Sequence, residues 1–255
     1  MGSRQAIEAA ARDAAAEGDE LDALLAPLSA PGWATATPAD GWSVRTTVVH
    51  LLRSDEAGLA STRDEDLTAF IPEILEPTYA GSDAELLTAW RSRRAALNAA
   101  VLAVPDGTRL PWFGPPMSPI AFFTARLMET WAHGQDVADA LGVRRVPTAR
   151  LRHVCEIGFR TRAWSYVVAE RTAPDTPVRL ALTAPDGATW RWGPQDAPES
   201  ITGNAHDFAL LVTQRRHRGD LRLLADGRAA DEWLDIAQAY AGFPGTRRPP
   251  GLPPA

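Results

Sequence analysis

Glu129 and His133 stand four residues apart in the run Arg126-Leu-Met-Glu129-Thr-Trp-Ala-His133-Gly-Gln-Asp136. On a helix this spacing puts a carboxylate and an imidazole on one face, one turn apart, where both can reach a single cation. Arg126 and Asp136 fall on or beside the same stripe, together with Phe122 and Ala140. The helix also carries Leu127, Met128, Trp131 and Val137, and a charged stripe on such a helix is costly to bury without a purpose. A third ligand from another helix would complete a zinc-type site with an open position, and His50 is the candidate. Imidazole and carboxylate donors suit zinc, and also nickel, manganese or iron(II). Taken alone, the spacing favours a surface pair, because i,i+4 pairs are common on amphipathic helices. On its own helix His50 lies with Thr47 and Ser54, facing either a bundle cavity or solvent.

Other residues carry chemistry with less definition. Arg126 either binds a carboxylate of a substrate or thiol cofactor, or pairs with Glu129 or Asp136. Asp136, one turn after His133, is placed to orient a ligand imidazole through its outer nitrogen, and is near enough to be a fourth ligand. Trp112, between prolines, forms either a lid over the metal or a hydrophobic plug. Arg215 and Arg216 make a basic cluster with Arg218, either a solvated helix end or a receiver for an anionic cofactor or substrate. Cys155 lies in an apolar helical stretch and reads as a core thiol.

Composition narrows the classes. The chain has 255 residues, a net charge of −6 and 45% hydrophobic content, enough for one large domain or two small ones. The acidic balance argues against a nucleic-acid partner, which needs a basic surface. No apolar run approaches the roughly 20 residues of a membrane span, and no charged-then-apolar leader opens the chain, so a cytoplasmic setting is expected. A single cysteine excludes an intramolecular disulfide and a cysteine-rich zinc knuckle. All 26 basic side chains are arginine, so no lysine amine is present for a Schiff base.

The elements that must position these residues are mostly helices. Periodicity predicts a first helix over about 4–28, a second from the N-cap Ser43, a third from the capping box Ser82–Glu85 to about 104, and a fourth from Ser118-Pro119 to Gly142. Residues 63–81 are acidic and proline-interrupted and read as a long loop with at most a short turn. After Pro147 the pattern predicts a helix over 148–171, a hairpin of strands 178–183 and 189–192, a helix over 204–216, a strand over 220–224 and a helix over 229–240. The proline-rich tail 243–255 is expected to be an extended strap or disordered. The fold class is therefore α+β: an antiparallel four-helix bundle over 1–146, followed by a smaller α+β domain with its tail over 147–255.

Trp42-Ser-Val-Arg-Thr-Thr-Val-Val-His50-Leu, followed by Glu129-Thr-Trp-Ala-His133-Gly-Gln-Asp136-Val, resembles the DinB-like metalloprotein superfamily, and within it the branch of the mycothiol-dependent maleylpyruvate isomerases. The resemblance implies a four-helix bundle with zinc held by His50, Glu129 and His133, and an α+β domain after it. The blocks Pro111-Trp-Phe-Gly-Pro-Pro-Met117 and Val212-Thr-Gln-Arg-Arg216 look like a metal-binding subfamily rather than the isomerase itself, so a substrate other than maleylpyruvate is expected. The expected function is a divalent-metal enzyme whose open position activates a mycothiol-like thiol for isomerisation or S-transfer on a small electrophile. The alternatives are a hydrolase or lyase using bound water, and a non-catalytic metal- or ligand-binding module. A monomer or homodimer acting on a small molecule is expected.

Overall fold

The computed structural model describes residues 3–242, 245 and 248–251. Of the tail 243–255, expected to be a strap or disordered, most lies outside the described residues. The chain divides into two compact units, 1–144 and 145–255.

Four long helices build the first unit: α1 (Ser3–Leu25), α3 (Val44–Thr62), α5 (Asp83–Ala103) and α6 (Pro119–Leu141), with short α2 (Ala30–Trp33) and α4 (Phe70–Leu75) between them. Their starts follow local chemistry. The Ser43 and Ser118 hydroxyls accept from the backbone N–H groups of Thr46 and Ala121, and Ser82 with Glu85 forms a reciprocal capping box. Pro119 opens α6, where its missing N–H costs nothing, and Gly142 closes it in the left-handed region at φ 65°.

Helix α1 lies along α6 and α3 along α5. Two ion pairs about three turns apart, Arg45–Asp83 and Glu56–Arg93, show that α3 and α5 run parallel. Arg91–Asp22 and Arg94–Asp19 run in opposite senses, so α1 and α5 are antiparallel. The bundle is thus two parallel pairs set antiparallel to each other. A parallel α3–α5 pair needs a crossover between them, and residues 63–82 supply it. That segment reads as loop in sequence, yet it contains α4, which packs on α3. The core has two clusters, one around Leu21, Val48, Leu52, Leu86, Trp90 and Val137, the other around Ile7, Leu97, Val101, Phe122 and Phe123. No helix among the described residues is long and apolar enough to cross a membrane.

The second unit begins with α7 (Leu151–Arg160) and α8 (Arg162–Val168). A single helix over 148–171 was expected. The chain breaks at Thr161, whose hydroxyl bonds back to the Ile157 and Gly158 carbonyls. A four-stranded sheet follows in the order β2-β1-β3-β4, from β1 (Val178–Thr183), β2 (Thr189–Trp192), β3 (Glu199–Asn204) and β4 (Leu224–Asp226). The β1–β2 hairpin has the expected limits, and β3 pairs parallel with β1 through Leu180 opposite Ile201. Strand β3 is an addition to the sequence reading, and the strand expected at 220–224 lies later, a 3₁₀ turn occupying Arg218–Asp220. Helices α9 (Ala205–Val212) and α10 (Arg228–Ile236) pack against the sheet and are shorter than the periodicity suggests.

Candidate metal centre

Helix α3 brings His50, and α6 brings Glu129 and His133, so that one ligand atom of each lies within 4.8 Å of the others. Glu129 Oε2 stands 3.6 Å from His133 Nε2 and 3.9 Å from His50 Nε2. These separations exceed good hydrogen bonds. They come near the ~3.3–3.4 Å donor spacing of a tetrahedral site with bonds of about 2.0–2.1 Å. The far side of each imidazole is already committed. His50 Nδ1 lies 2.9 Å from the Ile74 carbonyl, which can only accept, so Nδ1 carries the proton and Nε2 presents its lone pair. His133 Nδ1 lies 3.2 Å from Asp136 Oδ2, and Asp136 is fully buried. His50 Nε2 is itself buried and, among the described residues, lacks a hydrogen-bond partner. An orphaned imidazole lone pair beside a carboxylate and a second imidazole is a donor set that fits a divalent cation.

Burial lowers the His50 pKa, and the neighbouring His133 lowers it further. Burial alone would raise the Glu129 carboxyl, but the pull of His133 and then His50 outweighs it and holds it well below the usual carboxylate range. Both shifts favour the forms that ligate, neutral imidazole and ionised carboxylate. Trp42 walls the centre: its ring stacks on His133 at 5.7 Å with an 18° interplanar angle and lies 5.0 Å from His50. The backbone fixes Trp42, because the Thr37 N–H donates to its carbonyl at 2.8 Å just before α3 begins.

The remaining candidates scatter. Arg126 pairs with Asp55 of α3, Nε at 3.2 Å and Nη2 at 2.8 Å from Oδ1, and with neither Glu129 nor Asp136. Sequence shows its stripe on α6 but not which helix lies opposite. Trp112 packs against Phe113 and edge-on to Phe122 at 5.2 Å. Phe122 is seven residues before Glu129, a rise of about 10 Å along α6. The ring against the imidazoles is Trp42, and Trp112 packs with the apolar cluster around Phe122. Trp42, Ile74 and Asp55 were not singled out in sequence as site residues. Only the closeness of Trp42 to the Ser43 cap could have signalled its place. In the second unit Arg215 donates to the Thr213 carbonyl and Arg216 to that of Arg215. Arg216 also lines a cavity of about 440 Å³ with Gln214, His217, Arg218 and Arg248. Cys155 is fully buried, and burial pushes its thiol pKa far up.

The family described as mycothiol maleylpyruvate isomerase N-terminal domain matches residues 14–138, and one described as wyosine base formation matches residues 174–226. Two proteins of Mycobacterium tuberculosis, from strains CDC 1551 and H37Rv and both titled uncharacterized, are 49% identical over 248 residues, covering 92% of this chain and 96% of each relative. Among solved structures, the mycothiol-dependent maleylpyruvate isomerase shares the fold with a TM-score of 0.60 at 14% identity, covering 84% of this chain and 92% of that one. A histidine-to-alanine mutant of it gives 0.58 at 15%, with the same coverage. The chain belongs to one family with the two mycobacterial proteins, and its residues 14–138 match the mycothiol maleylpyruvate isomerase N-terminal domain.

Proposed function

We propose that the bundle holds one divalent cation, zinc first, on His50 Nε2, Glu129 and His133 Nε2, and that the centre activates a low-molecular-weight thiol of the mycothiol kind. The reaction would be an isomerisation or S-transfer on a small electrophile. The observation that carries the reading is the convergence of three donors whose outer nitrogens are already held by Ile74 and Asp136. Three side-chain ligands leave a coordination position for an incoming group. A dication bound there supplies Lewis acidity, lowering the pKa of a thiol or water beside it.

The protein's own residues have separate tasks. Ile74 and Asp136 fix the imidazole tautomers, Glu129 supplies negative charge, and Trp42 shields one side. Asp136 is a positioning residue, spoken for by the His133 ring, and is not proposed as a fourth ligand. Arg126 is assigned to its pair with Asp55 rather than to a substrate at the triad. Arg215 and Arg216, in the second unit, are proposed as contacts for an anionic ligand. With no lysine in the chain and Cys155 sealed in a core, an exogenous thiol is the best source of a nucleophile. The family membership supports thiol chemistry, but 14% identity to the solved isomerase carries the fold alone, so maleylpyruvate is not proposed as substrate.

Cobalt substitution tests this reading. Adding mycothiol to the cobalt-loaded protein should produce a sulfur-to-cobalt charge-transfer band, and His50→Ala should abolish it. No band, together with ester or amide hydrolysis by the zinc-loaded protein, would replace thiol chemistry with water activation. No band and no turnover would leave a metal-binding module.

A further inference from the structure

We infer that the bundle contains a second small-molecule site, separate from the triad, that takes an organic acid through its carboxylate. A cavity of about 370 Å³ opens between α1 and α5 and reaches the middle of the bundle. That volume lies in the range of about 300–1,000 Å³ usual for ligand pockets. Its walls are small or apolar, from Ala14, Ala15 and Gly18 on one side to Trp90, Leu97 and Phe122 on the other. None of the three triad residues lines it. At its floor lies the buried pair Arg126–Asp55, with side chains 8% and 7% exposed.

The pair is half used. Both hydrogen bonds from the Arg126 guanidinium to Asp55, from Nε and Nη2, end on the same oxygen, Oδ1. Arg126 Nη1 and Asp55 Oδ2 take no part in these contacts. A guanidinium offers five N–H donors in a planar fork, so a buried one with an open edge is built for a further acceptor. The arginines nearer the rim are differently placed. Arg91 forms a two-point pair with Asp22, and Arg94 bonds the Ala15 carbonyl and Asp19 while lying 4.9 Å over the Trp90 ring. Asp22 and Asp19 meet these charges nearer the rim, though Arg94 Nε is buried without a hydrogen-bond partner among the described residues, and the deeper floor is where an anion gains most from charge-assisted hydrogen bonds.

The ligand is identified by these features: a carboxylate head for the Arg126 Nη1 edge and a flat apolar body for the space beside Trp90 and Phe122. An aromatic monocarboxylic acid has that shape. Asp55 holds the Nε and Nη2 side of the guanidinium, so the planar fork is fixed with Nη1 free to meet the head.

Benzoate is the probe, with benzamide as the neutral control of equal size. Binding is followed by calorimetry on metal-stripped full-length protein, and again on His133→Ala, so that the triad cannot account for the signal. Benzoate should bind both forms alike and at least about tenfold more tightly than benzamide, the discrimination expected of a site built on a charged donor. Ala15→Phe, which fills the cavity without touching the ion pair, should abolish binding while circular dichroism shows an intact fold. Arg126→Lys, which keeps the charge but loses the planar fork, should weaken benzoate about tenfold or more. Failure of benzoate to bind, equal binding of benzamide, or binding unchanged in folded Ala15→Phe would each overturn the assignment.

Discussion

Asp136→Asn gives a demanding test of how the centre is held together. The carboxylate is fully buried, 3.2 Å from His133 Nδ1, and asparagine keeps its size and one acceptor while removing its charge. The amide oxygen still accepts from the imidazole N–H, so the hydrogen bond is kept and only its charge assistance is lost. What remains is the reduced basicity of the His133 ring and its looser orientation. Losing such a partner of a ligand histidine typically weakens metal binding by about 10–100-fold. That range corresponds to about 1.4–2.7 kcal/mol. Zinc affinity, measured by competition with a chromophoric chelator at fixed pH, should fall by that factor. The thermal midpoint of the metal-free protein, recorded in parallel, separates metal affinity from general damage. Affinity equal to wild type in Asp136→Asn would refute the positioning role, even if stability changed.

Three further outcomes are expected. Trp42 stacks on His133 at 5.7 Å, so metal loading should alter its fluorescence; Trp42→Phe should remove that change while still binding one metal per chain, and a persistent change would place the reporter elsewhere. Arg126→Leu leaves Asp55 buried beside an apolar side chain and should cost about 3–5 kcal/mol in denaturant unfolding. Adding Asp55→Leu should recover part of this loss, and a double variant no more stable than Arg126→Leu would contradict the buried pair as the cause. Cys155 is buried with its Sγ 3.4 Å from the Ala205 carbonyl, so it should resist Ellman's reagent in the native protein and yield one thiol on unfolding; rapid native labelling would contradict its sealed position.

Features written in local chemistry were the ones legible in sequence. The Ser82–Glu85 box, the Ser118-Pro119 start and the Gly142 stop each depend on a few adjacent residues, and α5 and α6 begin and end where those signals lie. The Glu129–His133 spacing is equally local, and a helix leaves little choice over how the two side chains relate. Features made by distant packing were hidden. Strand β3, Glu-Ser-Ile-Thr-Gly-Asn, has one strongly apolar residue and is a strand because β1 and β4 pair with it on either side. Helix α4 carries Pro72 inside an acidic stretch and forms against α3, which brings the Ile74 carbonyl to His50. The Asp55 partner of Arg126 lies 71 residues away, and periodicity shows that each belongs to a helix without showing which helices meet.

The most direct test of the central claim is the metal's own coordination shell, read by X-ray absorption at the metal edge together with anomalous scattering from crystals of protein purified without a metal-affinity tag. The account predicts about one divalent ion per chain at His50, Glu129 and His133, with two imidazoles and one carboxylate at about 2.0–2.2 Å and a remaining light-atom ligand that exchanges. A shell closed by a fourth protein side chain would contradict an open reactive centre. An ion bound at other residues, or none retained by folded protein, would contradict the centre altogether.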